Sequence, residues 1–243
     1  MRMSPSPPPG LPRRAAAELV GTAALVAVVV GSGIQAAALS PDVGVRLLAN
    51  SLASALGLGL LIALLGPLSG GHLNPVVTLS EWWARRGEDG APGVREVAVY
   101  VAAQFVGAVA GALLAEAMFG RAPGTWSTAA RSDPHLLLGE TVATAGLVLL
   151  VQGLRRIGRS SLAPIAVGCY LLAAIWFTSS GSFANPAGTV GRSFSDSFTG
   201  IAPGSLPGFV GAQLLGALLG VALATVLYGS GNEPKGPRSR RTG

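Results

Sequence analysis

One cysteine, Cys169, excludes a disulfide framework and a multi-cysteine metal site. Charge is scarce too: 12% of the 243 residues are charged and 6% are aromatic, while 50% are apolar and the mean hydropathy is +0.55. A soluble domain carries about twice that charged share. The two histidines, His72 and His135, fall in different segments. No metal-ligand cluster, nucleophile–base spacing or phosphate-binding loop accompanies them, so neither an enzyme nor a cofactor is expected. The proline-rich start, Met1 to Pro12, has no long apolar core after its early arginine and reads as a tail rather than a signal peptide. Cys169 itself reads as a small apolar core residue.

Long hydrophobic runs are what the chain has in plenty. Six of them, at 15–38, 45–66, 94–118, 135–154, 162–180 and 207–228, approach or exceed the ~20 residues that span a bilayer core. With both termini cytoplasmic, thirteen of the basic residues fall inside, and Arg46, Arg121, Arg131 and Arg192 fall outside. The net charge of +6 therefore follows membrane topology and does not point to nucleic acid. The basic tail from Lys235 to Arg241 can touch anionic lipid.

Between these runs two segments share the pattern S-G-x-x-x-N-P-x-x-T: Ser69 to Thr78 and Ser180 to Thr189. Asn is a strong helix N-cap and Pro suits the first turn, so Asn74-Pro75-Val76 and Asn185-Pro186-Ala187 should each open a helix. The flanking spans repeat as well. Glu18 to Val26 matches Glu140 to Val148 at six of nine positions, and Ala103-Gln104 and Ala212-Gln213 both begin A-Q-x-x-G-A-x-x-G. Each repeat holds three spans, so the second must enter the membrane from the opposite side, an inverted repeat. The Gly107/Gly111 and Gly216/Gly220 pairs provide flat faces for close helix crossing.

Taken in order, Glu18, the Ser69–Thr78 loop, Ala103-Gln104, Glu140, Asn185-Pro186-Ala187 and Ala212-Gln213 make the chain resemble the major intrinsic protein family, the aquaporins and aquaglyceroporins. The resemblance covers Ala15 to Tyr228. It implies an all-α membrane protein with six transmembrane helices and two re-entrant half-helices around one pore per chain, assembled as a homotetramer in the cell membrane. The expected division is a disordered cytoplasmic tail at 1–14, a channel domain at 15–228 (repeats 15–118 and 135–228) and a basic cytoplasmic tail at 229–243. The cargo is a small neutral solute.

The same resemblance implies roles for single residues. Glu18 and Glu140 brace the re-entrant loops by accepting N–H bonds. His72 either lines the cytoplasmic half of the pore or braces its loop. Gln104 and Gln213 read as packing residues. Asn74 and Asn185 can use their side-chain carbonyls in the caps, which leaves their amide NH2 groups aimed into the lumen as donors to a solute oxygen. Half-helix dipoles add positive potential at that depth and repel cations.

Two departures from the family pattern stand out. Val76 replaces the usual Ala, a mild change. Gly188 stands three positions after Asn185, where the family normally carries Arg. Arg192 lies one turn further on, about 6 Å nearer the outer mouth. It either repels cations there or reaches to the membrane surface. The other filter positions count to Ser54, Ser182 and, in the fifth span, Tyr170 or Cys169. With Ser54, Ser182 and Gly188 all small, the filter reads as wide, which favours polyols or trihydroxylated metalloids over strict water selectivity. The segment Phe183 to Pro203 resembles a bacterial subgroup associated with arsenic-resistance genes, which implies passage of undissociated arsenite. A water-selective aquaporin and an ion-coupled secondary transporter are the alternatives. The transporter would need a free intramembrane carboxylate, and Glu116 is the only one left over.

Overall fold

A computed structural model describes residues 9–88 and 91–229. Most of the expected N-terminal tail (1–8) and nearly all of the basic C-terminal tail (230–243) lie outside the described residues. Eight α-helices follow in order: α1 Leu11–Leu39, α2 Val43–Ser69, α3 Pro75–Arg85, α4 Val94–Met118, α5 Pro134–Arg156, α6 Ala163–Phe177, α7 Pro186–Arg192 and α8 Leu206–Tyr228. Six are long and apolar enough to cross a membrane, and the short α3 and α7 are the half-helices. The fold is the all-helical inverted repeat expected.

One boundary moves. α1 begins at Leu11 and not at Ala15, because Pro12 serves its first turn and Arg14 is held by Glu96 of α4 through two hydrogen bonds.

Polarity is arranged inside out relative to a soluble protein. Among the largest fully buried side chains are Glu18, Gln104, Glu116, Glu140, Gln152 and Gln213. Outside, α2 exposes Leu48, Leu52, Leu56, Leu60 and Leu64, every fourth residue and so one continuous apolar stripe. A stripe of that length is compatible with lipid contact and costly in water.

The repeats are built on two close crossings, α1 against α4 and α5 against α8. A Cβ added at Gly107 or Gly111 would lie 2.3 or 2.2 Å from the carbonyl oxygens of Leu19 and Ala23. At Gly216 and Gly220 it would meet the Thr141 and Ala145 oxygens at 2.5 and 2.6 Å. The obstacle is backbone, which cannot turn aside as a side chain can. Gly111→Leu should therefore cost about 3 kcal/mol or more and lower the yield of monodisperse protein in detergent. Gly211→Ala, at a site with no atom within 4 Å, should leave the elution profile unchanged.

Candidate functional site: the re-entrant loops and the cavity between them

Each half-helix starts where its sequence directs. The Asn74 side-chain oxygen accepts from the Val76 N–H at 3.0 Å, and that of Asn185 from the Gly188 N–H at 3.1 Å. The loops leading in carry an unusual backbone. Gly70, Gly71 and Leu73 are left-handed in the first, and Gly181, Ser182 and Ala184 in the second, position for position. For Leu73, Ser182 and Ala184 this conformation costs on the order of 1–3 kcal/mol each, so neighbouring groups must hold it.

Two buried carboxylates do. Glu18 accepts from the N–H groups of His72 (3.0 Å) and Leu73 (2.7 Å), from Ser69 Oγ (2.6 Å) and from Gln104 Nε2 (2.8 Å). Glu140 repeats the set with Phe183 N–H (2.8 Å), Ala184 N–H (3.0 Å), Ser180 Oγ (3.0 Å) and Gln213 Nε2 (2.6 Å). Each glutamine also donates to a half-helix threonine, Gln104 to Thr78 and Gln213 to Thr189. Four donors on each carboxylate offset the cost of burying it.

The two loops then meet. Asn74 Nδ2 donates to the Ala184 carbonyl at 2.7 Å, and Asn185 Nδ2 to the Leu73 carbonyl at 2.8 Å. The lumen-facing NH2 groups of the sequence reading are thus half spent. One N–H of each amide ties the loops together, and the second is left for whatever occupies the cavity. Asn185→Asp keeps the cap but sets a carboxylate oxygen against the Leu73 carbonyl. Water permeability of proteoliposomes should fall by about tenfold, the effect of one lost donor and one new repulsion. Stopped-flow light scattering reads it directly.

A continuous cavity of about 1460 Å³ passes both asparagines. Its lining extends from Arg13, Arg14 and Glu81 at one end to Arg131, Arg192 and Thr199 at the other. Ser54 and Ser182 line it, and their hydroxyls have no hydrogen-bond partner among the described residues. Gly188 also lines it, and a Cβ there would meet nothing nearer than the Asn185 side chain at 3.4 Å. His72 lies between the cavity and its own loop. Its ring faces the cavity and pairs with Thr78 Oγ1 through Nδ1 at 3.1 Å, while its N–H is held by Glu18.

Tyr170 is elsewhere than the filter position expected. Its hydroxyl donates to the Ala143 carbonyl at 2.8 Å, in the notch left by Gly146, and its ring packs against the buried cluster that holds Ala143, Leu147 and Val167. Tyr170 lines the cavity, but Ala143 lies almost one turn of α5 past Glu140, so its hydroxyl reaches deeper than the carboxylate that holds the outer loop. Cys169, on the same turn, is exposed. Ile175 and Trp176 carry the cavity lining of α6 outward, with Trp176 Nε1 donating to Ser51 Oγ at 3.1 Å.

Arg192 stays in the cavity. Its Nε donates to the Thr199 carbonyl at 2.6 Å and its guanidinium stacks 3.2 Å over the Phe183 ring. A second arginine, missed in the sequence, joins it. Arg131, from the segment before α5, lies 5.2 Å from the same ring and donates through Nε to the Gly200 carbonyl at 2.9 Å. Burial pushes the Arg131 guanidinium below its usual value, and the Glu140 carboxylate partly offsets this. No local motif marks Arg131; its only signal was a position outside the membrane.

Sequence and fold both match a known family. The model of the family described as "Major intrinsic protein" matches residues 9–194. The chain belongs to the major intrinsic protein family. As a member it is a membrane channel for small uncharged solutes, with six membrane-spanning helices. Among its relatives is the aquaglyceroporin AqpS of Rhizobium meliloti (strain 1021), 46% identical over 96% of this chain and 95% of that protein. The probable aquaporin AqpM of Archaeoglobus fulgidus is 32% identical over 90% of this chain and 96% of its own length. The fold alone is shared with the solved aquaglyceroporin from Plasmodium falciparum, at TM-score 0.69 and 19% identity, covering 90% of this chain and 96% of that one.

Proposed function

We propose that this channel is wide enough at its outer end to pass glycerol-like polyols and undissociated arsenite besides water, while excluding ions and protons. The observation that carries the reading is the set of small residues on the cavity: Gly188 open to a side chain, with the free hydroxyls of Ser54 and Ser182 nearby. A pore of larger bore with unpaired hydroxyls accepts a hydroxylated solute that a narrow aromatic and arginine-lined constriction would reject. AqpS is named an aquaglyceroporin, which favours polyols. Arsenite rests on the resemblance of residues 183–203 alone.

Ion exclusion would come from the paired loops. The remaining amide N–H of Asn74 and of Asn185 donates to a solute oxygen, and a water whose oxygen is held by both donors has no lone pair left to take up a proton. Both half-helices present their positive ends at this depth. Against the coupled-transporter alternative stands the engagement of its candidate ion ligand. Glu116, its one spare carboxylate, is paired with Arg121 at 2.8 Å and accepts from Ser195 Oγ. The asymmetry of basic residues favours both termini on the cytoplasmic side of the cell membrane. The apolar outer face of α2 suits contact with copies in a homotetramer.

Stopped-flow measurement of water, glycerol and neutral-pH arsenite entry into one batch of proteoliposomes tests the solute class. Rapid glycerol or arsenite entry is the expected result. Water flux alone would mean that the outer arginines close the gap at Gly188, and would overturn the wide-pore reading.

A further inference from the structure

The outer end of the cavity holds two guanidiniums with no acid paired to either among the described residues. Thr199 and Gly200 are consecutive, and their carbonyls hold Arg192 and Arg131 by Nε. Both side chains converge on the Phe183 ring, at 3.2 and 5.2 Å. Bonding through Nε leaves the terminal amino groups of each arginine without a hydrogen-bond partner among the described residues, and both arginines line the cavity. The nearest carboxylates are otherwise engaged or turned out. Glu140 is filled by four donors, Asp196 accepts from Thr128 N–H and Oγ1, and Asp133 is exposed.

The placement of Arg131 is built into the loops. The segment 127–131 is tied to 193–205 by Ser127 N–H to the Ser193 carbonyl (2.9 Å), Ala202 N–H to the Ala129 carbonyl (2.7 Å) and Arg131 N–H to Ser205 Oγ (2.9 Å). A Cβ at Gly200 would meet Ser127 Oγ at 2.3 Å, so this glycine lets the two strands of loop approach. Two arginines brought side by side repel each other, and the arrangement is complete only when something negative lies between them.

We infer that Arg131 and Arg192 form a binding site for a small oxyanion at the outer mouth, occupancy of which obstructs the pore. Stacked guanidiniums keep their N–H edges free, and two such edges match the oxygens of one tetrahedral or carboxylate anion. The anion is held rather than conducted, because moving deeper exchanges two guanidiniums for the single amide N–H groups of Asn74 and Asn185, which are neutral and weaker donors. The inference rests on the channel reading above and adds a ligand to the same pore.

The test is osmotic water permeability of proteoliposomes in inorganic phosphate, present on both sides at neutral pH, against chloride at equal ionic strength. Phosphate should slow water flux by at least about twofold in the native protein, have no effect on Arg131→Gln and have a reduced effect on Arg131→Lys, which keeps the charge without the two-pronged geometry. No slowing of the native protein, or equal slowing of native and Arg131→Gln protein, would overturn the site. Thermal unfolding in detergent is the second readout, with phosphate expected to raise the midpoint of the native protein and not of Arg131→Gln. A native protein that conducts no water yet is stabilised by phosphate through Arg131 would overturn the channel reading and uphold the anion site; an absent shift would overturn the site.

Discussion

Glu140→Gln should abolish most of the flux while the side chain keeps its shape. Both carboxylate oxygens are in use, one accepting from Ser180 Oγ and Phe183 N–H and the other from Ala184 N–H and Gln213 Nε2. An amide nitrogen at either position faces two donors with another donor. At about 1–3 kcal/mol for each buried group left unsatisfied, the loss is about 2–6 kcal/mol. The strain at Ser182 and Ala184, both left-handed, is then no longer opposed. The Ala184 carbonyl would leave Asn74, and the two loops would part. Glycerol and water permeability should each fall by about tenfold or more, with a lower unfolding midpoint in detergent. Glu18→Gln, in the matching place of the first repeat, should behave alike. Full flux through either variant would show that the loops hold themselves.

Gly188→Arg is the second large effect, and it should separate solutes instead of stopping all of them. The position has room, since a Cβ would find only the Asn185 side chain at 3.4 Å and beyond. An arginine there shares a helix face with Arg192, four residues on, and extends into the cavity that Gly188 lines. Glycerol and arsenite entry should drop about tenfold while water entry changes by about twofold or less, because a water molecule needs less bore. Parallel stopped-flow traces on the two proteins measure it. An equal fall for all three would contradict the pore-width account.

How much of this was legible beforehand depends on the range of the interaction. The half-helices announce themselves because an N-cap works within three residues: Asn74 and Asn185 bond to N–H groups two and three positions on. The spans are legible because bilayer thickness sets their length, and the repeat because Glu, Gln and Asn-Pro recur in one order. Tyr170 was misplaced for the opposite reason. Counting positions along α6 cannot tell which depth a residue reaches, because the path of the loop between α6 and Asn185 is not written in its spacing. The division of labour within the asparagine amides was hidden as well, since their carbonyl partners lie 110 and 112 residues away.

Arg131 and Arg192 mark the limit most clearly. Charge pattern placed both outside the membrane; spacing from Asn185 also put Arg192 at the outer mouth but left its role open, and nothing in the sequence linked Arg131 to it. The sequence by itself determined the membrane-spanning architecture, the inverted repeat and the two half-helices, because these follow from local capping, apolar length and small residues at fixed spacing. Only the tertiary structure decided which carbonyl each asparagine holds, where Tyr170 sits, and that two arginines, one at the end of α7 and one before α5, share one phenylalanine at the mouth. Such contacts join segments far apart in the chain, and no periodicity in either segment encodes the other.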